Sequence, residues 1–493
     1  MAVSGALKHI RNYASAGVLA ALAGIITFPL LTRSLSVAEY GILGLITSSL
    51  TLFVAVGKLG MQHAVIRYYA QIKNANISFN LLQMNSTVSM MFFCFAFFTA
   101  SLWLIIGYVF MPRLSDFNNI SELFLIASGI VFLRLMGSGF MNFLRAQQRS
   151  AIVGFTQILT RYLYLAIVLG LMFIGQINVA FVLFAMLVAE IIGVSFAAKN
   201  YWPDFQFKLA EVVVPLGKTM LVYGMPLMLL ESLGLVMRLS DRYIIQAILD
   251  ENALGQYSAS YNLTAYLDVI LLGAMVQAIK PHYMQLWEGE GKDTTKVFLE
   301  GGFHMYLVLG IPFITLFSLV APHLLNFLAS PKYSPGTIVI PFVAFSFLLD
   351  GSMHFLAAGL YIKKNTKVLM FWGLIATVLN LSLNMLAIPA HGILGAAVVT
   401  IISYFVFMIG VSFRAFKFLP FNINTTVPLI ISLWSLMVYA LLFKWNFGSD
   451  FTSLMAKSVL GGVFLIIGVV IFDARSRDWV LLRLRSPNAG EAK

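Results

Sequence analysis

Windows of about 20 apolar residues recur along most of this chain with only short polar breaks between them, and a helix of that length spans the hydrocarbon core of a bilayer. The spans read from the sequence number about fourteen. They are 14–31, 41–56, 87–110, 121–143, 152–174, 178–198, 220–249, 254–279, 303–326, 338–362, 368–388, 392–413, 427–443 and 454–472. With 60% of 493 residues hydrophobic and 11% charged, a soluble fold could not cover the apolar surface. The fold class expected is therefore an all-α polytopic membrane protein.

The placement of Lys and Arg tests this map, because they collect on the cytoplasmic ends of spans. With the N-terminus inside, Arg33, Arg113, Lys332, Lys444 and Lys457 fall on the outer face, and Arg134, Arg161, Arg238 and Arg242 fall within spans. All the other Lys and Arg residues, out of 32, lie on the cytoplasmic face, so both termini are expected there. The net charge of +12 is thus a membrane-orientation signal, and no nucleic-acid partner is inferred from it. Outer loops are short, the longest covering 327–337, which leaves no room for a catalytic domain outside the membrane. Cys94 is the single cysteine, so no disulfide frame or thiolate metal site is available. The basic segment 475–485, containing Arg475, Arg477, Arg483 and Arg485 around "WVLLRLR", reads either as an amphipathic helix on the anionic leaflet or as a stop signal for the last span.

A parallel repeat offset by 214 residues places Leu35 over Leu249, Gly41 over Gly255, Tyr69 over Tyr283 and Gln71 over Gln285. The offset equals six spans. Two six-helix lobes are therefore expected, 1–205 and 206–420, followed by a helix pair and basic tail over 421–493. Such a plan is recurrent among transporters, with the substrate path between the halves. Pro29, Pro226 and Pro312 fall within spans, where a missing N–H permits bending.

Four stretches carry a family resemblance: "LSVAEYGILGL" (35–45), "RAQQRSAIVG" (145–154), "YGMPLML" (223–229) with "SDRYIIQ" after it, and "IPAHGILGAAVVTIISY" (388–404). They resemble the polysaccharide biosynthesis flippases of the MOP exporter superfamily, which also holds the MATE multidrug transporters and the lipid II flippases. The resemblance covers the chain to about residue 418. It implies a MATE-like fold in the bacterial inner membrane and alternating-access movement of undecaprenyl-pyrophosphate-linked oligosaccharide from the cytoplasmic leaflet, for O-antigen, capsule or exopolysaccharide synthesis. The implied partners are that lipid-linked oligosaccharide, membrane lipid, and a polysaccharide polymerase and chain-length regulator.

An arginine at the middle of a spanning helix costs roughly 2.5–3.5 kcal/mol on insertion scales, so Arg134, Arg161, Arg238 and Arg242 must face protein or a wet cavity. Guanidinium groups stay charged and pair with phosphate oxygens, which suits a pyrophosphate head group. Arg161 and Arg238 are the leading substrate-binding candidates, with Arg134 and Arg242 beside them. Asp241 lies one turn from Arg238 and next to Arg242, so the plainer reading of "DR" is an ion pair that pins its helix. Among intramembrane acids, Asp268 and Glu190 have no basic neighbour one turn away in their own helices, and Asp350 stands one turn from His354. These four are candidates for H⁺ or Na⁺ coupling, or else interhelix polar contacts. No cofactor, metal or enzyme motif is found; "GKT" at 217–219 lacks the first glycine and preceding strand of a phosphate-binding loop. Two rival functions are a cation-coupled exporter of small amphiphiles, whose cavity should favour acids and aromatics, and a membrane sugar polymerase or ligase, which should carry a large outer loop.

Overall fold

The computed structural model describes residues 2–74, 78–109, 120–267, 273–445 and 447–473, and among them it contains helices and no strands. The helices are α1 (Ala2–Ser34), α2 (Val37–Gly57), α3 (Met61–Lys73), α4 (Leu81–Val109), α5 (Ile120–Ala146), α6 (Ser150–Phe173), α7 (Val179–Tyr201) and α8 (Val214–Ile248). They continue with α9 (Glu251–Leu267), α10 (Gly273–Gly289), α11 (Lys292–Leu328), α12 (Ile340–Leu356), α13 (Ala358–Ile362), α14 (Thr366–Ala415), α15 (Thr426–Phe443) and α16 (Asp450–Phe472). Twelve described segments are long and apolar enough to cross a membrane, with α2 and α3 together forming one of them. The chain is a multi-pass membrane protein, as its hydropathy requires.

Three places show how the sequence-derived spans map onto the helices. The spans 368–388 and 392–413 correspond to two helices that meet at a kink inside α14. Its helix is interrupted at Gly392, whose φ of 60° suits a residue without a Cβ, and not at Pro389, which stays inside the helix. The second span, 41–56, lies within α2, which ends at Gly57; after Leu59 and Gly60, both at positive φ, the chain re-enters helix as α3. Span 254–279 falls on α9 and α10, each of 17 residues, and residues 268–272 between them, including Asp268, lie outside the described residues. Arg113 and the tail arginines Arg475, Arg477, Arg483 and Arg485 lie outside them too.

The chain divides into two compact units, one of Met1–Ser258 with Asn384–Gly392, the other of Ala259–Leu383 with Ile393–Lys493. In the first, α1 packs on α6, α4 and α7 flank α5, and α2 and α3 lie against α5 and α8. Its core gathers Met61, Val88, Phe92, Phe143, Tyr201 and Met220, with the Phe143 and Tyr201 rings stacked at 5.0 Å. Ser36 starts α2 with a capping box: its hydroxyl accepts from the Glu39 N–H at 3.2 Å, and the Glu39 carboxylate accepts from the Ser36 N–H at 2.8 Å. In the second unit α11 is central, packing on α12, α15 and α16. There Leu319, Val438, Leu442 and Leu465 form an apolar cluster, and the buried His304 and Asp473 pair at 2.9 Å, tying α11 to the end of α16.

Candidate functional site

Within the first unit, α5, α6 and α7 enclose a cavity of about 440 Å³ together with the end of α2. Small residues set the spacing of these helices. A Cβ on Gly193 would stand 2.1 Å from Thr160 Oγ1, and one on Gly137 would stand 2.7 Å from Val194 Cγ2. The helices therefore touch at these points, which is the usual route to close approach in lipid.

On α5 the lining residues are Arg134, Ser138, Asn142 and Arg145, at i, i+4, i+8 and i+11, a single helical stripe. Thr156, Gln157, Thr160, Arg161 and Tyr164 form the matching stripe on α6, and Met186 and Glu190 face them from α7. Lys58, the C-cap of α2, completes the lining cations. Helical rise puts Arg134, Arg161 and Glu190 at a common depth, each about 16 Å from the helix end nearest Arg145. Lys58 and Arg145 form the rim above that layer.

The deep layer is held by an ion pair: Arg134 Nε donates to Glu190 Oε1 at 2.6 Å, while Nη2 reaches Met186 Sδ at 3.5 Å. Both side chains are mostly buried, at 24% and 16% exposure. Arg145 Nη1 donates to Asn142 Oδ1 at 3.3 Å. Arg161 forms no ion pair or hydrogen bond among the described residues and is exposed toward the cavity that it lines. Four cations thus share this lining with one carboxylate, and that carboxylate is committed to Arg134. A charge surplus in a partly dry, polar space is a ready receptor for a polyanion.

The structure separates the four intramembrane arginines. Arg134 and Arg161 line the cavity; Arg238 and Arg242 are not among its lining residues. Arg242, 4% exposed, directs Nη1 to the Ser48 hydroxyl and the Gly44 carbonyl of α2. Asp241, fully buried, accepts from the Arg242 N–H at 2.8 Å and from the Tyr257 hydroxyl of α9. With Tyr243 donating to Ser49, the "SDRY" motif ties α2, α8 and α9 together in one buried polar cluster. Arg238 sits half-buried on the same helix, one turn before Asp241 and Arg242.

Glu190, one of the acids considered for ion coupling, is the partner of Arg134 on a neighbouring helix. Asp350 and His354 stand one turn apart on α12 in the second unit, half-buried. No three His, Cys, Asp or Glu side chains among the described residues converge in a way that could hold a metal ion. Lys58 and Arg145 were missed because they read as loop cations; the eleven-residue spacing from Arg134 to Arg145, which returns to the same helical face, was the available signal.

Twelve described spans and a polar cavity built from facing helices define the class: a multi-pass helical membrane protein with a polar site inside the helix bundle. Its fold is that of a lipid II flippase, MurJ, solved in an inward closed conformation, with a TM-score of 0.76 at 14% identity over 95% of this chain and 99% of that one. An inward-facing MATE family multidrug resistance transporter of the MOP superfamily also shares it, with a TM-score of 0.64 at 13% identity over 82% of this chain and 95% of that one. An uncharacterized membrane protein of Methanocaldococcus jannaschii is 24% identical over 437 residues, covering 83% of this chain and 82% of the relative. Residues 6–287 match the family model described as polysaccharide biosynthesis protein. The chain belongs to that family, and its fold is the one shared by the flippase and the transporter above.

Proposed function

We propose that this protein translocates polyprenyl-pyrophosphate-linked oligosaccharides across the bacterial inner membrane by alternating access, supplying surface polysaccharide synthesis, and that the α5–α6–α7 cavity receives the pyrophosphate. The carrying observation is the lining itself: Lys58, Arg134, Arg145 and Arg161 against the single carboxylate of Glu190. Hydrogen bonds between charged partners contribute about 1.5–3 kcal/mol each, so two or three guanidinium contacts hold a pyrophosphate firmly yet reversibly. Lys58 and Arg145, at the rim, draw the anion in, and Arg161, with no partner among the described residues, takes it deeper. The polyprenyl chain stays in lipid, where its transfer costs nothing, so the protein has only the polar head to accommodate. A cavity with surplus cations repels the cationic amphiphiles that a multidrug exporter would carry, which favours the lipid-linked anion.

The test is flipping of a fluorescent undecaprenyl-pyrophosphate oligosaccharide in proteoliposomes. Wild type should expose the label to an external quencher, and Arg161→Gln should do so at least about tenfold more slowly, the loss of one charged contact. If wild type fails with this substrate but exports small organic cations under an ion gradient, the flippase reading is wrong.

A further inference from the structure

In the second unit, a separate cavity of about 480 Å³ lies where α11 and the start of α12 meet the end of α15 and the first turns of α16. Lys457 of α16 lines it and is 3% exposed. Its Nζ donates to the Phe443 carbonyl at 3.1 Å, at the C-terminal end of α15. Among the described residues that is the sole partner of Lys457, and none of their carboxylates pairs with it. An ammonium has three N–H donors and a full charge, and burying one with a single carbonyl for company is costly unless an anion joins it. Lys444, the C-cap of α15, stands on the same lining with an exposed side chain. His323 also lines the cavity, and its Nδ1 pairs with Asp450 Oδ1 at 2.9 Å, so the nearby acid already has a partner.

Two further observations specify the anion. Lys444 and Lys457 are two of only five basic residues that orientation by charge places on the outer face, where cations are otherwise sparse. Their surroundings are aromatic and apolar at a helix end: Trp445 is 56% exposed and Phe443 49% exposed, with Tyr439 on the cavity wall. Aromatic rings of this kind settle at the headgroup level of a bilayer, and lysine stems snorkel to the same level. Lys457 lies about 10 Å along α16 from its start, at a depth that a lipid phosphate reaches when its acyl chains run beside the helices.

We infer that Lys457 and Lys444 form a site for the phosphate of an anionic membrane lipid, seated between α15 and α16 at the end of the second unit. The lipid phosphate neutralises Lys457 and accepts from its remaining N–H groups, Lys444 closes over it from the solvent side, and the acyl chains lie along the apolar wall. This site is independent of the arginine cavity of the first unit.

Purified full-length protein titrated in detergent with dioleoylphosphatidylglycerol, and in parallel with dioleoylphosphatidylcholine, and read by native mass spectrometry, tests the inference. Wild type should bind the phosphatidylglycerol more tightly, and Lys444→Gln, at an exposed position that cannot unfold the protein, should weaken its first adduct about fivefold. Lys444→Gln combined with Lys457→Gln should remove the preference over phosphatidylcholine, while Lys367→Gln, a basic residue elsewhere in the unit, should change nothing. Equal affinity for the two lipids, or Lys444 and Lys457 variants that bind like wild type, overturns the inference. So does displacement of the bound lipid by excess inorganic phosphate, which would mark a free-anion site.

Discussion

Arg134 Nε and Glu190 Oε1 lie 2.6 Å apart between α5 and α7, a charged pair in the deep layer of the cavity. Removing the carboxylate alone leaves a mostly buried guanidinium without its partner, which is worse than removing both. Glu190→Gln and Arg134→Met should each lower the thermal midpoint of the purified protein, and the double variant should recover part of the loss. The expected coupling is about 1–2 kcal/mol. Strict additivity in the double variant would show that the pair contributes nothing to holding α5 on α7.

Arg161 faces the same space with no partner among the described residues, so its substitution should leave stability alone and act on transport. Arg161→Lys keeps the charge but loses the paired donors, and should retain a fraction of the flipping rate that Arg161→Gln loses. Equal rates for the Lys and Gln variants would show that charge at this position is irrelevant. A lowered thermal midpoint for Arg161→Gln would show instead that the residue serves the fold.

The helices were legible because hydropathy and length alone define a span, and the orientation signal rests on many cations at once. The cavity was legible only in part. Sequence marks an arginine in a span as expensive, yet Arg161 and Arg242 carry the same mark and have different surroundings, one lining a cavity and the other locked to Ser48 and Gly44. What separates them is which neighbouring helix each meets, a property of tertiary packing that periodicity within one helix does not encode. The family motifs were legible as a pattern, but their physical work was not. "LSVAEYG" holds the capping box of Ser36 and Glu39, "RAQQRS" places Arg149 Nη2 at 2.6 Å from Asp204 Oδ2, and "YGMP" brings Gly224 against Gly60. The first of these starts a helix and the other two join elements, so each contact serves the fold.

The "SDRY" cluster should behave as such a joint. Arg242→Leu keeps both hydrogen bonds to Asp241, from the residue-242 N–H and from Tyr257, but removes the guanidinium that binds Ser48 and Gly44 of α2, and hydrogen bonds to a charged group contribute about 1.5–3 kcal/mol. Arg242→Leu should therefore reduce the amount of folded protein recovered from membranes, as read by size-exclusion chromatography in detergent, whereas Arg161→Leu should be recovered like wild type. Tyr257→Phe, which removes one hydroxyl from Asp241, should fall between them. Full recovery of Arg242→Leu would show that the cluster does not hold α2, α8 and α9 together.

Gly41 and Gly255, 214 residues apart in the sequence, meet in space within the first unit. A Cβ on Gly41 would lie 2.4 Å from the Glu251 carbonyl oxygen and 2.8 Å from the Gly255 nitrogen, and one on Gly255 would lie 2.0 Å from the Val37 carbonyl oxygen. The obstructing atoms are backbone, so no side-chain rotation relieves the clash, and α2 must separate from α9 to admit even a methyl group. Gly44, one turn on, is nearly as tight, but there the obstruction is the Ser258 hydroxyl at 2.8 Å, the end of a side chain that can turn. Gly255→Ala should thus lower the thermal midpoint more than Gly44→Ala, by an amount equivalent to about 1–3 kcal/mol of overpacking. The comparison is made on purified protein in one detergent. An inverted order would mean that the α2–α9 contact is loose enough to absorb a methyl group, and that these glycines are there for another reason.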